Sequence, residues 1–420
     1  MNSITNQKIL NTYELKCKII TPLFMGGADF NPELRTQSIN GILRWWFRVA
    51  GGNIKDEKRL FGWASDQSNQ GLVRLFIKDF DKLKTEIFSK EFDQKGNVRN
   101  DSGLNYLGFS LDQRFKKDNP KPQRSYIKES QTFNLIISFH PKATVEDKKK
   151  FFATLWLAFN LGNFGSRSRR GFGSIKITPI NNSNINDLYD LSFNPTQNLK
   201  DWINQNLNKI KDYINPTQNA LDYLEIYKIE KSNFNQLKNW IEEVQKGREV
   251  QNGREKKFLK KQWGKNNIND HMNLLDFMGF LLAAFRSYRN PDYQNAKNIL
   301  QNNTNNLQNN TNNLTFERAI FGLPLNFYFS SLNKRDTLNA KLKNQTLRRA
   351  SPLIIKILEC NNNYEGIFIV IKSQFLPNDY SLNFSKHPKQ KVYLPKQNEW
   401  KAINEFINSL KNKNLISEIK

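Results

Sequence analysis

Apolar and polar residues alternate strictly at the start of the readable pattern. Tyr13, Leu15, Cys17 and Ile19 are interleaved with Glu14, Lys16 and Lys18, the period of a half-buried strand. After a Gly-rich turn, Met25 to Asp29, the period lengthens. Ile39, Leu43, Trp46, Phe47 and Ala50 share one helical face, and Arg44 and Arg48 fall on the opposite one. Ser38 is the expected N-cap, and Gly51-Gly52 the stop. Strands follow at Val73–Ile77 and Phe133–Phe139. A helix comes next, capped by Thr144 with acids Glu146 and Asp147 in its first turn and a core face of Phe151, Leu155, Trp156 and Phe159. The last strand runs from Phe172 to Thr178. The order β-α-β-β-α-β is that of a ferredoxin-like domain.

Beyond residue 180 the signals are sparser. Residues 181–221 are rich in Asn with scattered Pro, and are expected to be a linker with at most one short helix. A second set of elements then follows. It comprises a strand near Leu224–Ile229, a buried helix over about Asn273–Tyr288, strands near Leu325–Phe329, Leu353–Ile357 and Ile367–Ile371, and a closing helix carrying Trp400, Ile403, Phe406, Ile407 and Leu410. The expected fold class is therefore α+β, with two ferredoxin-like βαββαβ domains in tandem, the second more decorated. The domains are residues 1–180 and 222–420, with a low-complexity insert near 295–315. That insert repeats Leu-Gln-Asn-Asn-Thr-Asn-Asn from Leu300 and again from Leu307. One leucine per heptad is too few for a coiled coil, so a polar loop is expected.

Composition narrows the class of partner. The chain has 420 residues and a formal net charge of +25, and a chain this basic usually meets a polyanion, whose condensed counterions are released when Lys and Arg neutralise phosphates. With only Cys17 and Cys360, a disulfide framework and a Cys-based zinc site are excluded. Met1 to Leu15 lacks the apolar run of a signal peptide. The longest apolar stretches, near Phe151–Leu161 and Leu274–Phe285, fall short of the ~20 residues of a membrane span. A cytoplasmic protein without a membrane partner is expected.

Two stretches concentrate the candidate chemistry. The first is the Gly-rich loop Gly165, Ser166, Arg167, Ser168, Arg169, Arg170, Gly171 and Gly173. Its glycines allow close backbone approach to phosphates and its arginines can bind them in a bidentate manner. Phe164 and Phe172 are candidates for base stacking or for the core. The second is the turn and helix N-terminus carrying Arg35, Ser38, Arg44, Trp45 and Arg48, where free N–H groups favour an anion. A basic run, Arg248 to Lys265, is a secondary electrostatic contact at best. Arg286 and Arg289, with Arg348 and Arg349, are candidates for the second domain's share of a groove.

The pattern "GGAD…ELR…SINGILRWWFR…LFG" together with "LGNFGSRSRRGFGSI" resembles the RAMP superfamily of CRISPR systems, and within it the first subunit of type III-B Cmr effector complexes. The resemblance covers residues 13–178 closely. Over 222–420 it is carried by "RAIFGLPLNF" and "LRRASPLIIKI". It implies two ferredoxin-like, RRM-like domains and an RNA-binding subunit at the head of the complex, near the 3′ end of the guide. Its implied partners are CRISPR RNA, single-stranded target RNA and the other subunits, with cleavage left to a repeated backbone subunit. Carried over by position, Gly165–Gly173 and the helix with Arg35, Ser38, Arg44 and Arg48 become RNA contacts. No catalytic residue, metal or cofactor is expected. The alternatives are a RAMP endoribonuclease and a purely structural adaptor. The histidines, His140, His271 and His387, lie outside the first helix where related processing enzymes carry one, and Asp29 stands with Glu33 as its only carboxylate neighbour.

Overall fold

The computed structural model describes residues 12–27, 31–64, 68–92, 94–95, 98–99, 101–109, 111, 124–180, 190–216, 220–246, 263–265, 267–301, 314–329, 331–343, 345–388, 391–395 and 398–420. Asp29, most of the basic run from Arg248 and the repeat after Gln301 lie outside them.

In the first half the elements are β1 (Thr12–Ile19), α1 (Thr36–Val49), α2 (Ile54–Phe61), β2 (Val73–Lys78), β3 (Thr85–Ile87), α3 (Gly103–Leu107), β4 (Ser125–Ile127), β5 (Thr132–Phe139), α4 (Val145–Asn160) and β6 (Ile175–Pro179). Four strands form an antiparallel sheet in the order β2-β5-β1-β6. Counted among the sheet's own strands this is second, third, first, fourth, the ferredoxin-like arrangement. Tyr13, Leu15, Cys17 and Ile19 are buried, as their alternation requires. So are Ile39, Leu43, Trp46 and Phe47 of α1. Helix α1 nevertheless begins at Thr36 with Arg35 as its N-cap and no side-chain cap, so Ser38 sits inside the first turn. Arg35 is the last extended residue, and its carbonyl accepts from the N–H groups of Ser38 (3.1 Å) and Ile39 (3.2 Å). Thr144 and Asp147 form a reciprocal capping box at the start of α4.

Residues of the expected linker are built into this core. Helix α5 (Leu199–Ile214) buries Trp202, Ile203, Leu207 and Ile210 and packs along α4. The Trp156 and Trp202 rings are 5.0 Å apart, and both indole N–H groups donate to the carbonyl of Ser192, at 2.8 and 3.0 Å. This cover explains why α4 is buried on every side from Phe151 to Asn160.

The second half contains β7 (Leu224–Ile229), α6 (Leu237–Gln245), α7 (His271–Arg286), α8 (Asp292–Gln301), β8 (Leu325–Phe329), β9 (Lys334–Leu342), β10 (Gln345–Leu347), β11 (Leu353–Cys360), β12 (Asn363–Ile371), β13 (Tyr380–Phe384), β14 (Lys391–Val392), α9 (Lys401–Lys411) and β15 (Ile416–Glu418). Its main sheet has the order β11-β12-β7-β15, again second, third, first, fourth. The strand expected at Leu325–Phe329 exists, but it belongs to a separate small sheet of β8, β9, β10, β13 and β14. Leu300, the first residue of the low-complexity segment, is buried on α8.

The main sheet of the second half is covered on both faces. Phe368 and Val370 join the core around α7 and α9, while Ile367, Ile369 and Ile371 join the core containing α4 and α5. Each core therefore draws on both halves of the chain, and β11 and β12 read as continuous apolar runs because neither face meets water.

Lys356 crosses this boundary. Its ammonium, wholly buried on β11, donates to the carbonyls of Phe159 (2.7 Å) and Gly162 (2.8 Å) at the C-terminal end of α4, filling acceptors that a helix end leaves open. Burial pushes its pKa from 10.5 down to about 7. A lysine depressed in the folded state binds fewer protons there than in the unfolded chain, so stability rises as pH goes from about 7 towards 10.5. Thermal unfolding of the wild-type chain should show this alkaline gain. Lys356→Met should abolish it, so that the stability gap shifts in favour of the wild type as pH rises from about 7 towards 10.5, the stranded carbonyls costing the variant about 2 kcal/mol at the alkaline end. An identical pH profile in the variant would refute the assignment.

Candidate nucleic-acid interface

The Gly-rich loop is the joint between the halves. Strand β11 is an edge of its sheet, and the loop lies along it. The N–H of Ile355 donates to the carbonyl of Arg169 (3.2 Å), and Asn163 Nδ2 donates to the carbonyl of Ile355 (2.8 Å). Arg169 Nη1 donates to the carbonyl of Ser351. Asn163 Oδ1 accepts from Ser174 Oγ (2.6 Å). Further along β11, Glu359 pairs with Lys18 (2.5 Å) and Lys176 (3.0 Å) of the first sheet.

Close packing explains two of the loop's glycines. Gly173 has φ +75, and a Cβ there would stand 1.9 Å from the carbonyl oxygen of Phe164. Gly171 has φ +82, and a Cβ there would stand 2.3 Å from Leu275 Cδ1. Phe164 and Phe172, offered above as stacking candidates, are both fully buried and belong to the core.

The loop also packs on the Gly-rich turn that follows β1, with the N–H of Ser166 donating to the carbonyl of Phe24 (2.7 Å). The two stretches picked from the sequence therefore meet. Between them is a recess of about 170 Å³ lined by Phe24, Gly26, Gly27, Arg124, Ser125 and Ser166. Arg124 Nη1 donates to Ser166 Oγ (2.9 Å).

Beside the recess the arginines converge. Arg170 lies over the Tyr106 ring, 5.4 Å from its centre, and Arg286 Nη1 donates to the Tyr106 hydroxyl (2.7 Å). Arg286 is buried at the end of α7, and its Nε is buried without a partner. Burial pushes the Arg286 guanidinium down to about 10, with Arg170 and Arg318 adding repulsion and Tyr106 opposing it. Burial, then Arg170 and Arg124, lower Arg167. At Tyr106 burial acts to raise the phenol, but Arg286 and Arg170 outweigh it and hold it below its usual range. The groups acting most strongly on these arginines are thus other arginines and a phenol. Gathering like charges at a half-buried seam costs energy that a bound anion would offset.

Tyr106 and Arg124 come from the insertion between β2 and β5, which the sequence pattern did not reveal. The signal available was the basic run Arg114 to Arg124, interrupted by Asp118 and two prolines. The insertion is held against α7 by the buried Asp276, which accepts from Leu104 N (2.8 Å), Ser102 Oγ (3.1 Å) and Trp263 Nε1 (2.8 Å). Gly103 and Gly279 let the two backbones touch at that point.

The remaining candidates are placed elsewhere. Arg169 turns to the other side of the loop, 4.7 Å from the centre of the Trp45 ring. Burial and the neighbouring Arg349 push its guanidinium down to about 10. Trp45 is thereby capped rather than open. Arg44 Nε (2.9 Å) and Arg48 Nε and Nη2 (both 2.6 Å) donate to the carboxylate of Glu57, whose side chain is 1% exposed. Arg35 is exposed, 3.9 Å from Glu33, and Ser38 is half-buried. Arg289 is taken up by Glu317 (2.9 Å) and Glu405. His140 is exposed and accepts from Lys142 N (3.2 Å), His271 begins α7, and His387 pairs with Asp336 (2.7 Å); none lines the recess. No cluster of metal-binding side chains occurs among the described residues, and no helix among them is long and apolar enough to cross a membrane.

Glu57 gives a test of that allocation. Burial acts to raise its pKa, but hydrogen bonds from Arg48 and Arg44 outweigh this and hold it below 4.5. A carboxylate depressed in the folded state adds stability that is present above about 4.5 and lost as pH falls through its lower folded value. Glu57→Gln should therefore cost about 2 kcal/mol in urea unfolding at pH 7, given the partial exposure of Arg48, and the gap to wild type should narrow at low pH. A constant gap would exclude this ion pair as its source.

The family model for the RAMP superfamily matches residues 16–176. The chain is 35% identical over 173 residues to the CRISPR system Cmr subunit Cmr1-2 of Pyrococcus furiosus, across 38% of this chain and 90% of that protein. It is 28% identical over 180 residues to Cmr1-1 of the same organism, across 40% of this chain and 48%, about half, of that protein. Among solved structures it is similar to Cmr1 from Pyrococcus furiosus in the apo form, with TM-score 0.49 and 21% identity over 97% of this chain and 98% of that one. It is also similar to a chain of the Type III-B Cmr-beta complex bound to cognate target RNA, with TM-score 0.41 and 15% identity over 96% and 99%.

Proposed function

The chain belongs to the RAMP superfamily and, within it, to the family of the Cmr1 subunits of CRISPR systems, and on that premise we propose that it is an RNA-binding subunit of a type III-B Cmr ribonucleoprotein. In this reading it acts in the cytoplasm at the head of the complex, near the 3′ end of the guide, engages single-stranded target RNA, and leaves cleavage to a partner subunit. The observation that carries the reading is the arginine seam. Arg167, Arg170 and Arg286 gather around Tyr106, and Arg124 stands beside Arg167 on the wall of a polar recess, so that three separate parts of the chain contribute.

Guanidiniums held this way suit the phosphates of a single strand better than base edges. The seam would therefore bind RNA with little sequence preference, and the exposed Arg35 would extend the track from the turn. The Gly-rich loop contributes Ser166, Arg167 and Arg170 to this surface, while Ser168, Arg169, Gly171 and Gly173 support it from behind.

Affinity for a single-stranded oligonucleotide, measured by anisotropy over a salt series, tests the reading. Replacing Arg124 and Arg170 together by Ala should flatten the slope of log K against log salt by about 1.4, that is ~0.7 for each lost phosphate contact. An unchanged slope would sink the seam assignment. Intact RNA throughout, with and without Mg²⁺, is the expected companion result, and metal-dependent fragments would instead make the chain an enzyme.

A further inference from the structure

The small sheet of the second half carries a groove that the seam does not use. It has a volume of about 550 Å³, and its lining includes Tyr328, Asn333, Lys334, Arg335, Lys386 and His387, a volume in the range of small-ligand sites. We propose that this groove is a second contact for single-stranded RNA, with a base stacked on Tyr328 and the adjoining phosphates held by Arg335 and Lys386. The inference rests on the RNA-binding reading above but on different residues.

Register puts the ring and the charge side by side. Phe327 and Phe329 are buried under the sheet, so alternation turns Tyr328 outwards, where it is 66% exposed. In the β8–β9 ladder Tyr328 is directly opposite Arg335, and opposite residues share a face. An exposed ring beside a cation offers a face on which a base can stack without regard to sequence. Arg335 and Lys386 are themselves exposed.

The acid nearest the groove is already engaged. Asp336 is buried and accepts from Thr337 N (2.7 Å) and Lys386 N (3.0 Å), and its second oxygen lies 2.7 Å from His387 Nδ1. Those bonds pin residues 386–387 against the sheet edge, which fixes Lys386 at the rim. Lys334 Nζ donates to the carbonyl of Leu300 (2.8 Å) and closes one end. The described lining contains no carboxylate, so no internal anion competes with a phosphate. An acidic protein segment would find the same cations, but only a base would stack flat on the ring while its own phosphates meet them.

The test uses the full chain with single-stranded RNA carrying 4-thiouridine, ultraviolet crosslinking and identification of the crosslinked peptides, alongside affinity measurements on variants. Crosslinks should appear on peptides spanning β8–β9 and residues 380–388, in addition to the seam. Tyr328→Ala should weaken binding about tenfold, and Tyr328→Phe should retain it, because stacking needs the ring and not the hydroxyl. Crosslinks confined to the seam, with Tyr328→Ala binding like wild type, would overturn this inference and leave the seam reading standing. Equal weakening by Tyr328→Ala and Tyr328→Phe would overturn the stacking role. No RNA bound by the wild-type chain would overturn both.

Discussion

The structure depends on one piece of backbone pairing, the Gly-rich loop laid along the open edge of β11. An edge strand exposes unpaired N–H and C=O groups. Here they are met by Arg169 and Asn163 of the other half, and Lys356 returns the contact by filling the carbonyls at the end of α4. Because these bonds join the two sheets, they fix where the turn after β1, the insertion and the end of α7 stand relative to one another. The arginine seam exists only at that meeting point.

This arrangement separates two demands that the loop's sequence runs together. Its glycines are needed for backbone approach to Phe164 and Leu275, and Arg169 is needed on Trp45 and Ser351. Arg167 and Arg170 remain on the side facing Tyr106, where their neighbours are further cations. Elsewhere Arg44 and Arg48 pair with Glu57, and Arg289 with Glu317. In the seam, burial and neighbouring arginines lower Arg286 and Arg167.

The local pattern was legible wherever burial follows one period. The alternation of β1 and the Ile39–Phe47 face of α1 appear in the fold as read, and so do the strands near Leu224, Leu353 and Ile367. Elements whose burial depends on distant partners were not legible. Helix α5 carries enough Asn and Lys to resemble a linker, and only its contact with α4 makes Trp202 a core residue. Ser38 lies inside the first turn, because the carbonyl of Arg35 already accepts from the N–H groups of Ser38 and Ile39. For the site, the Gly-rich loop was found but only part of its chemistry, since the pairing with β11 is invisible without the second half. Tyr106 and Arg124 lay in an insertion with no clear period, and Arg286 was readable as basic but not as buried beside them.

The central claim is that the seam between the halves holds an RNA phosphate backbone. A structure of the full chain with a short single-stranded RNA tests it most directly. The account predicts a phosphate at the recess formed by the Gly26–Gly27 turn, Arg124 and Ser166, with Arg170 turned towards the strand. RNA bound elsewhere, with the seam unvisited and its arginines unmoved, would contradict it.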